Sequence, residues 1–340
     1  MNGSPYSSFI PPYGTPYFPQ YNPLKSYCRD LRKTANRLSW MVLAGIFSMS
    51  FLYALLQRIL WMAGYPMYPN EFDGLPQEMY FLISCLYYIA GMFLPFFFFL
   101  LASRRSFNQT IPFRAFPFRL FFPCLFLGVA VCLLANYPAS MVASLLEQFG
   151  FNASMPETPL PDSPIGISLY VLQIAVIPPL VEEFAFRGVI FSRLRKYGDG
   201  LAVVASALLF GLFHGNPIQL PFAFLCGLIF AFLVLRTQSL LLPILLHAIN
   251  NGFSVACELL ENAYGEAFVN LFYGIFFLSM LVLGILSLIF LAIKEKGFFR
   301  PAATHQPVRL ATRFGMLFAN PGAIALLLYC VGTSILFMLL

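Results

Sequence analysis

Nine apolar stretches, separated by short polar loops, dominate this 340-residue chain. They fall near 39–62, 79–102, 118–137, 165–192, 200–214, 218–235, 240–257, 267–293 and 321–340. A helix needs about 20 apolar residues to cross a bilayer, so most of these stretches qualify. In hydrocarbon every backbone polar group must be satisfied within the segment, which leaves helices as the form such stretches take. The chain is 59% hydrophobic and only 10% charged, and it carries 40 phenylalanines. A soluble domain of this size has about a quarter of its residues charged. The expected fold is therefore all-α: a polytopic membrane protein of 8–9 transmembrane helices.

The charges alternate between loops. Lys25, Arg29, Arg32, Lys33 and Arg37 precede the first span, and the next loop has Glu71, Asp73 and Glu78 with no basic residue. Arg104, Arg105 and Arg114 follow the second span; Glu147, Glu157 and Asp162 follow the third. Arg193, Arg195 and Lys196 follow the fourth, Arg236 the sixth, and Lys294, Lys296, Arg300, Arg309 and Arg313 the eighth. Basic loops stay in the cytoplasm, so the N-terminus is expected there and the C-terminus outside. The cell membrane is the expected location. Arg58 is out of pattern and would snorkel from the outer end of the first span. The net charge of +6 thus follows from orientation and gives no reason to expect nucleic acid as a partner.

Four segments follow. Residues 1–38 form a tail and a basic juxtamembrane segment, with 1–24 too rich in Pro, Tyr, Ser and Asn to order. No signal peptide is visible there. Residues 39–164 hold N-terminal spans and loops, 165–257 a catalytic core, and 258–340 C-terminal spans. Residues 140–151 read as a loop or an interfacial helix. Seven cysteines occur singly, without a CxxC pair, which argues against a disulfide framework or a cysteine zinc site. Asn152-Ala153-Ser154 fits a glycosylation acceptor.

One stretch breaks the apolar pattern from within: Ile177-Pro178-Pro179-Leu180-Val181-Glu182-Glu183-Phe184-Ala185-Phe186-Arg187-Gly188-Val189. An ionisable group at bilayer depth is costly unless paired or wetted, so it marks function by default. Two of the chain's three histidines, His214 and His247, lie in the next apolar segments. The turn Gly198-Asp199-Gly200 folds the fourth span back on the fifth. Glu182 is 16 positions before Gly198 and His214 is 16 after it. Both then sit about 24 Å along their helices from the turn, at one depth.

Glu183 and Arg187 are spaced i, i+4 with the acid first, the favoured order for an ion pair. Glu182 points about 100° away and lacks that partner. This assigns Glu183 and Arg187 to architecture and Glu182 to chemistry. Pro178 and Pro179 must kink or restart the helix. A restart would put Glu182 in a first turn, whose free N–H groups favour a carboxylate. His247 and Asn251 share a face, and Phe210 lies one turn before His214 as a wall beside it.

Taken singly, each residue also has a structural role available: histidine and asparagine as interhelical glue, Glu–Arg as a staple. Together they resemble three motifs of the CAAX prenyl endopeptidase and bacteriocin-processing (CPBP) superfamily. Glu-Glu-x-x-x-Arg is matched by Glu182, Glu183 and Arg187; Phe-x-x-x-His by Phe210 and His214; His-x-x-x-Asn by His247 and Asn251. The likeness covers about residues 165–257. It implies a glutamic endopeptidase: Glu182 and His214 activate water, and His247 and Asn251 stabilise the oxyanion. It implies a conical or open cavity around the core, entered from the cytoplasm or from lipid, and a peptide or membrane-associated protein substrate, lipidated or not. No metal or cofactor is needed. Two other functions compete: a zinc protease with Glu182, His214 and His247 as ligands, and a non-catalytic carrier or scaffold. No inverted repeat speaks for a carrier.

Overall fold

A computed structural model describes residues 22–65, 72–103, 106–151, 153, 159–300 and 305–339. The N-terminal tail to residue 21, Glu71, Arg104, Arg105, Glu157 and most of the Asn152-Ala153-Ser154 acceptor lie outside these. Among the described residues the fold is all-α, with one isolated antiparallel bridge between Phe113 and Ser239.

Among the described residues, ten helices longer than one turn follow in order: α1 Pro23–Met62, α2 Gln77–Ala102, α3 Phe118–Gln148, α4 Pro164–Tyr197, α5 Asp199–Phe213, α6 Gln219–Thr237, α7 Leu241–Tyr264, α8 Glu266–Lys294, α9 Leu310–Phe318 and α10 Pro321–Leu339, with a single turn of helix at Phe107–Thr110 between α2 and α3. Seven of them are long and apolar enough to cross a membrane: α1 to α4, α6, α8 and α10. The remaining two expected spans are also helical, as the shorter α5 and the more polar α7. The chain is thus a multi-pass membrane protein.

Helix starts are encoded locally. Asn22 caps α1 by accepting from Lys25 N at 3.0 Å, with Pro23 at the first helical position. Ser163 caps α4 in the same way, through Gly166 N at 2.9 Å, ahead of Pro164. Such caps satisfy N–H groups that the first turn leaves without partners. The α1 helix runs through the basic juxtamembrane segment.

The third span does not stop near 137. Helix α3 continues through Pro138 to Gln148, so no separate loop or interfacial helix begins at 140. Proline bends a helix without ending it where neighbouring groups take up the freed carbonyl. All seven cysteines are free thiols, five of them buried. Arg58 lies 4.4 Å over the Trp61 ring.

The site sits where α4, α5, α6 and α7 meet, with α2 and α3 closing its sides. Helices α5 and α6 pack with backbones in near contact. A Cβ on Gly227 of α6 would meet Ala207 Cα at 2.9 Å and the Arg187 guanidinium at 3.1 Å. Only glycine leaves room there for both the neighbouring helix and the buried cation.

Candidate active site

Two prolines shape α4. Its α-helical start gives way to a π-helical segment over Leu172–Val176, and regular α geometry resumes at Ile177. The Ile174 carbonyl would accept from residue 178 in an α-helix and from residue 179 in a π-helix. Both are prolines and carry no N–H. Asn251, on α7, supplies the missing donor: its Nδ2 lies 3.0 Å from Ile174 O. The helix restarts as the prolines require, but Glu182 is the sixth residue from Ile177, not in the first turn. The prolines themselves occupy that turn, which lengthens the distance from the helix start to the carboxylate.

A second π-helical segment, Phe184–Ile190, carries Arg187. Its Nη1 meets Glu183 Oε1 at 2.9 Å, with both side chains fully buried. The guanidinium lies over two aromatic faces, Phe210 at 4.3 Å and Phe230 at 5.2 Å, which accept its remaining positive charge. Phe210 therefore does more than wall off His214, whose ring it also meets edge-on at 5.0 Å.

Glu183 holds a second partner. Its Oε1 is 3.1 Å from His247 Nδ1. A carboxylate paired with arginine can only accept, so Nδ1 carries the proton and Nε2 faces the other way. That nitrogen is 3.8 Å from Glu182 Oε2, beyond hydrogen-bond reach. Hydrogen bonds thus link Arg187, Glu183 and His247 in one line, with Glu182 just beyond the far nitrogen of the ring. The spacing argument separated the two glutamates correctly by direction, but Glu183 also orients a ring on α7.

Glu182 Oε1 accepts from the Tyr88 hydroxyl of α2. Its Oε2 has no hydrogen-bond partner in the protein, although the residue is 95% buried. Tyr88 was not visible as a site residue: it lies among aromatics in the second span, and only the packing of α2 against α4 brings it to Glu182. On the fifth span, His214 caps the C-terminus of α5. Its Nδ1 is 2.9 Å from Phe210 O. A carbonyl only accepts, so this nitrogen also donates, and Nε2 keeps a lone pair when the ring is neutral. Among the described residues no ion pair joins His214 to Glu182; the histidine that comes within 4 Å of that carboxylate is His247.

These groups share one cavity of about 530 Å³, lined by Glu182, His214, His247, Asn250, Asn251 and Glu258 among others. Its origin is the length of α5. Fifteen residues span only about 22 Å, short of the roughly 30 Å hydrocarbon layer. The turn after it, 214–218, therefore lies at depth and satisfies itself: Asn216 Oδ1 accepts from Gln219 N at 2.7 Å and its Nδ2 donates to Gln219 Oε1 at 2.8 Å. Irregular backbone at membrane depth is tolerated where it lines such a cavity. The cavity closes towards the basic end of α4, where residues 185–191 are all buried. It opens along α7, whose lining residues pass from buried His247 through half-buried Asn250 and Asn251 to exposed Ser254 and Glu258. Of the two expected entrances, from the cytoplasm or from lipid, one at the basic end of α4 would have to pass the buried residues 185–191.

Among the described residues, no group of three or more His, Cys, Asp or Glu is arranged to hold a metal ion. Glu182, His214 and His247 border one space, and one polar atom of each is held by Tyr88, the Phe210 carbonyl and Glu183 respectively.

Residues 164–253, which contain every residue named in the three motifs, match the family of type II CAAX prenyl endopeptidases, Rce1-like. The match and the three motifs support a likeness of this core to the CPBP family. The chain is also similar to the membrane-embedded CAAX protease MroQ of Staphylococcus aureus (strain USA300), with 32% identity over 153 residues, 43% of this chain and 61% of that protein. The YdiL protein of Bacillus subtilis (strain 168) is 32% identical over 95 residues, 28% of this chain and 39% of that one. The chain therefore spans less than two thirds of either relative. No solved structure matches it. The matched residues supply α4, α5, α6 and the first half of α7 around the cavity, which Asn136 and Ala139 of α3 and Ser254 and Glu258 of α7 also line, and the match does not extend to α8, α9 or α10.

Proposed function

We propose that the chain is an intramembrane endopeptidase that hydrolyses a peptide bond with a water activated by Glu182 and His214. The observation that carries this is the Glu182 carboxylate: buried in the wall of the cavity, held on one oxygen by Tyr88, and with its other oxygen free of any hydrogen bond to the described residues. A carboxylate so placed can take a proton from water bound in the cavity, with His214 Nε2 sharing that water. The hydroxide attacks the scissile carbonyl. The proton then passes to the departing amine, and the C–N bond breaks.

The tetrahedral oxyanion needs donors. Asn251 has two amide N–H groups, and one is engaged by Ile174 O. The second is the donor assigned to the oxyanion. His247 donates from Nε2 when both ring nitrogens carry protons, and Glu183 fixes the direction of that bond. Such donors typically contribute about 10²–10³ in rate each. Glu183, Arg187 and Phe210 hold the machinery in place and touch no reacting atom.

Residues 165–257 form the catalytic core on this reading, flanked by N-terminal spans within 39–164 and C-terminal spans within 258–340. The substrate is a peptide or membrane-associated protein, and MroQ, a CAAX protease by name, makes a lipidated one a sensible first choice. The basic loops orient the N-terminus to the cytoplasm, in a cell membrane. The test is peptide-release mass spectrometry on candidate membrane substrates, wild type against Glu182→Gln. Fragments that appear with the wild type and vanish with the variant support the proposal. Equal release by both removes it.

A further inference from the structure

The two ends of the helical bundle differ in charge, and the cavity opens at only one of them. Residues 59–103, 120–186, 201–235 and 237–293 contain no Lys or Arg. Every basic cluster therefore falls at one end: Arg193, Arg195 and Lys196 after α4, Arg236 after α6, Lys294 and Lys296 after α8. Salt bridges tie this end together, Arg195 to Asp199 at 3.0 Å and Lys196 to Asp30 at 2.6 Å. The other end carries acids, Glu258 at the mouth, Glu261 in the last turn of α7 and Glu266 at the start of α8, with Arg58 near the end of α1 as the exception.

The mouth lies at the acidic end. Helix α7 leaves the basic loop at Leu241 and ends at Tyr264. Its cavity-lining residues become more exposed towards Tyr264, and Asn136 of α3 is exposed beside them. Glu258 there accepts from the buried Tyr170 of α4, which tethers the rim to the helix that carries Glu182. In the other direction Leu242 and Leu246 on α7, and Phe186, Ile190 and Leu194 on α4, are at most 1% exposed and seal the floor. The cavity lining includes no Lys or Arg.

Basic loops are retained on the cytoplasmic side because translocating them is disfavoured. Combining that rule with the position of the mouth, we propose that the cavity is reached from the non-cytoplasmic face. Its substrate is then a polypeptide segment presented outside the cytoplasm, one that is secreted or looped out of the membrane. This deepens the proposed function, on which it rests for the word substrate. The side of access itself is independent of whether cleavage occurs.

The test is cysteine accessibility in intact cells. Cys28 and Cys257, the two thiols that are not buried, are replaced by Ala. Single cysteines are then introduced as Ser254→Cys at the mouth or Ser26→Cys at the basic end. A membrane-impermeant sulfonated methanethiosulfonate is the probe, read by mass spectrometry of the labelled peptides. Ser254→Cys is expected to react to the same extent before and after permeabilisation. Ser26→Cys is expected to react only afterwards. Asn136→Cys serves as a second mouth position if Ser254→Cys fails to accumulate. Reaction of the mouth cysteine only after permeabilisation, or at no stage, overturns the proposal, as does reaction of Ser26→Cys in intact cells. The same labelling in a Glu182→Gln background separates this outcome from loss of the proposed activity: an inactive protein that labels from outside sinks the enzyme reading and leaves the access side standing.

Discussion

Removing the Glu183 carboxylate tests the buried network most sharply. The Glu183→Ala substitution leaves the Arg187 guanidinium inside the bundle with aromatic faces on one side and no anion. It also frees His247 Nδ1, 3.1 Å away. Breaking a buried pair by deleting one partner costs about 3–5 kcal/mol, because the remaining charge stays desolvated. At roughly 2–4 °C per kcal/mol, the melting temperature of purified protein in detergent should fall by roughly 6–20 °C. The double variant Glu183→Ala/Arg187→Met should recover much of that loss, since no charge is then stranded. Glu182→Gln should shift the melting temperature little, because the amide oxygen still accepts from Tyr88. The assay is thermal unfolding of all three variants beside the wild type. If the double variant melts no higher than Glu183→Ala, the stranded charge is not the cause. If Glu182→Gln destabilises as much as Glu183→Ala, the division of roles between the two glutamates is wrong.

Four further outcomes are expected. Asn251→Ala should lose stability by about 1–3 kcal/mol by orphaning the Ile174 carbonyl, and Pro178→Ala, which restores an N–H one turn on, should offset that loss in the double variant while activity stays low. Asn251→Ala should also lower kcat by about 10²–10³ with KM nearly unchanged, as for any donor used mainly in the transition state; a change confined to KM would contradict the oxyanion role. Gly227→Ala should destabilise by about 1–3 kcal/mol through overpacking against Ala207 and Arg187, with unchanged melting showing that the helices have room to part. Activity should persist in strong chelators, and loss on stripping followed by recovery with zinc would transfer the chemistry to the metal alternative.

Local composition alone dictated the class of fold. Nine apolar stretches leave only helices in a bilayer. The i, i+4 spacing of Glu183 and Arg187 predicted a pair that forms as expected, because neighbours on one helix meet whatever surrounds them. The prolines announced a kink or a restart for the same local reason, and α geometry resumes at Ile177. Tertiary structure decided the rest. Tyr88 reaches Glu182 from 94 positions away in the chain, and no periodicity in a run of aromatics marks it. The link from Glu183 to His247, and the donation from Asn251 to the carbonyl that Pro178 and Pro179 leave bare, both require α7 to pack against α4 in one register. Charge patterning oriented the loops but could not show which end of the bundle is open. That followed from α5 being too short to cross, and from the buried apolar side chains of α4 and α7 that lie between the site and the basic end.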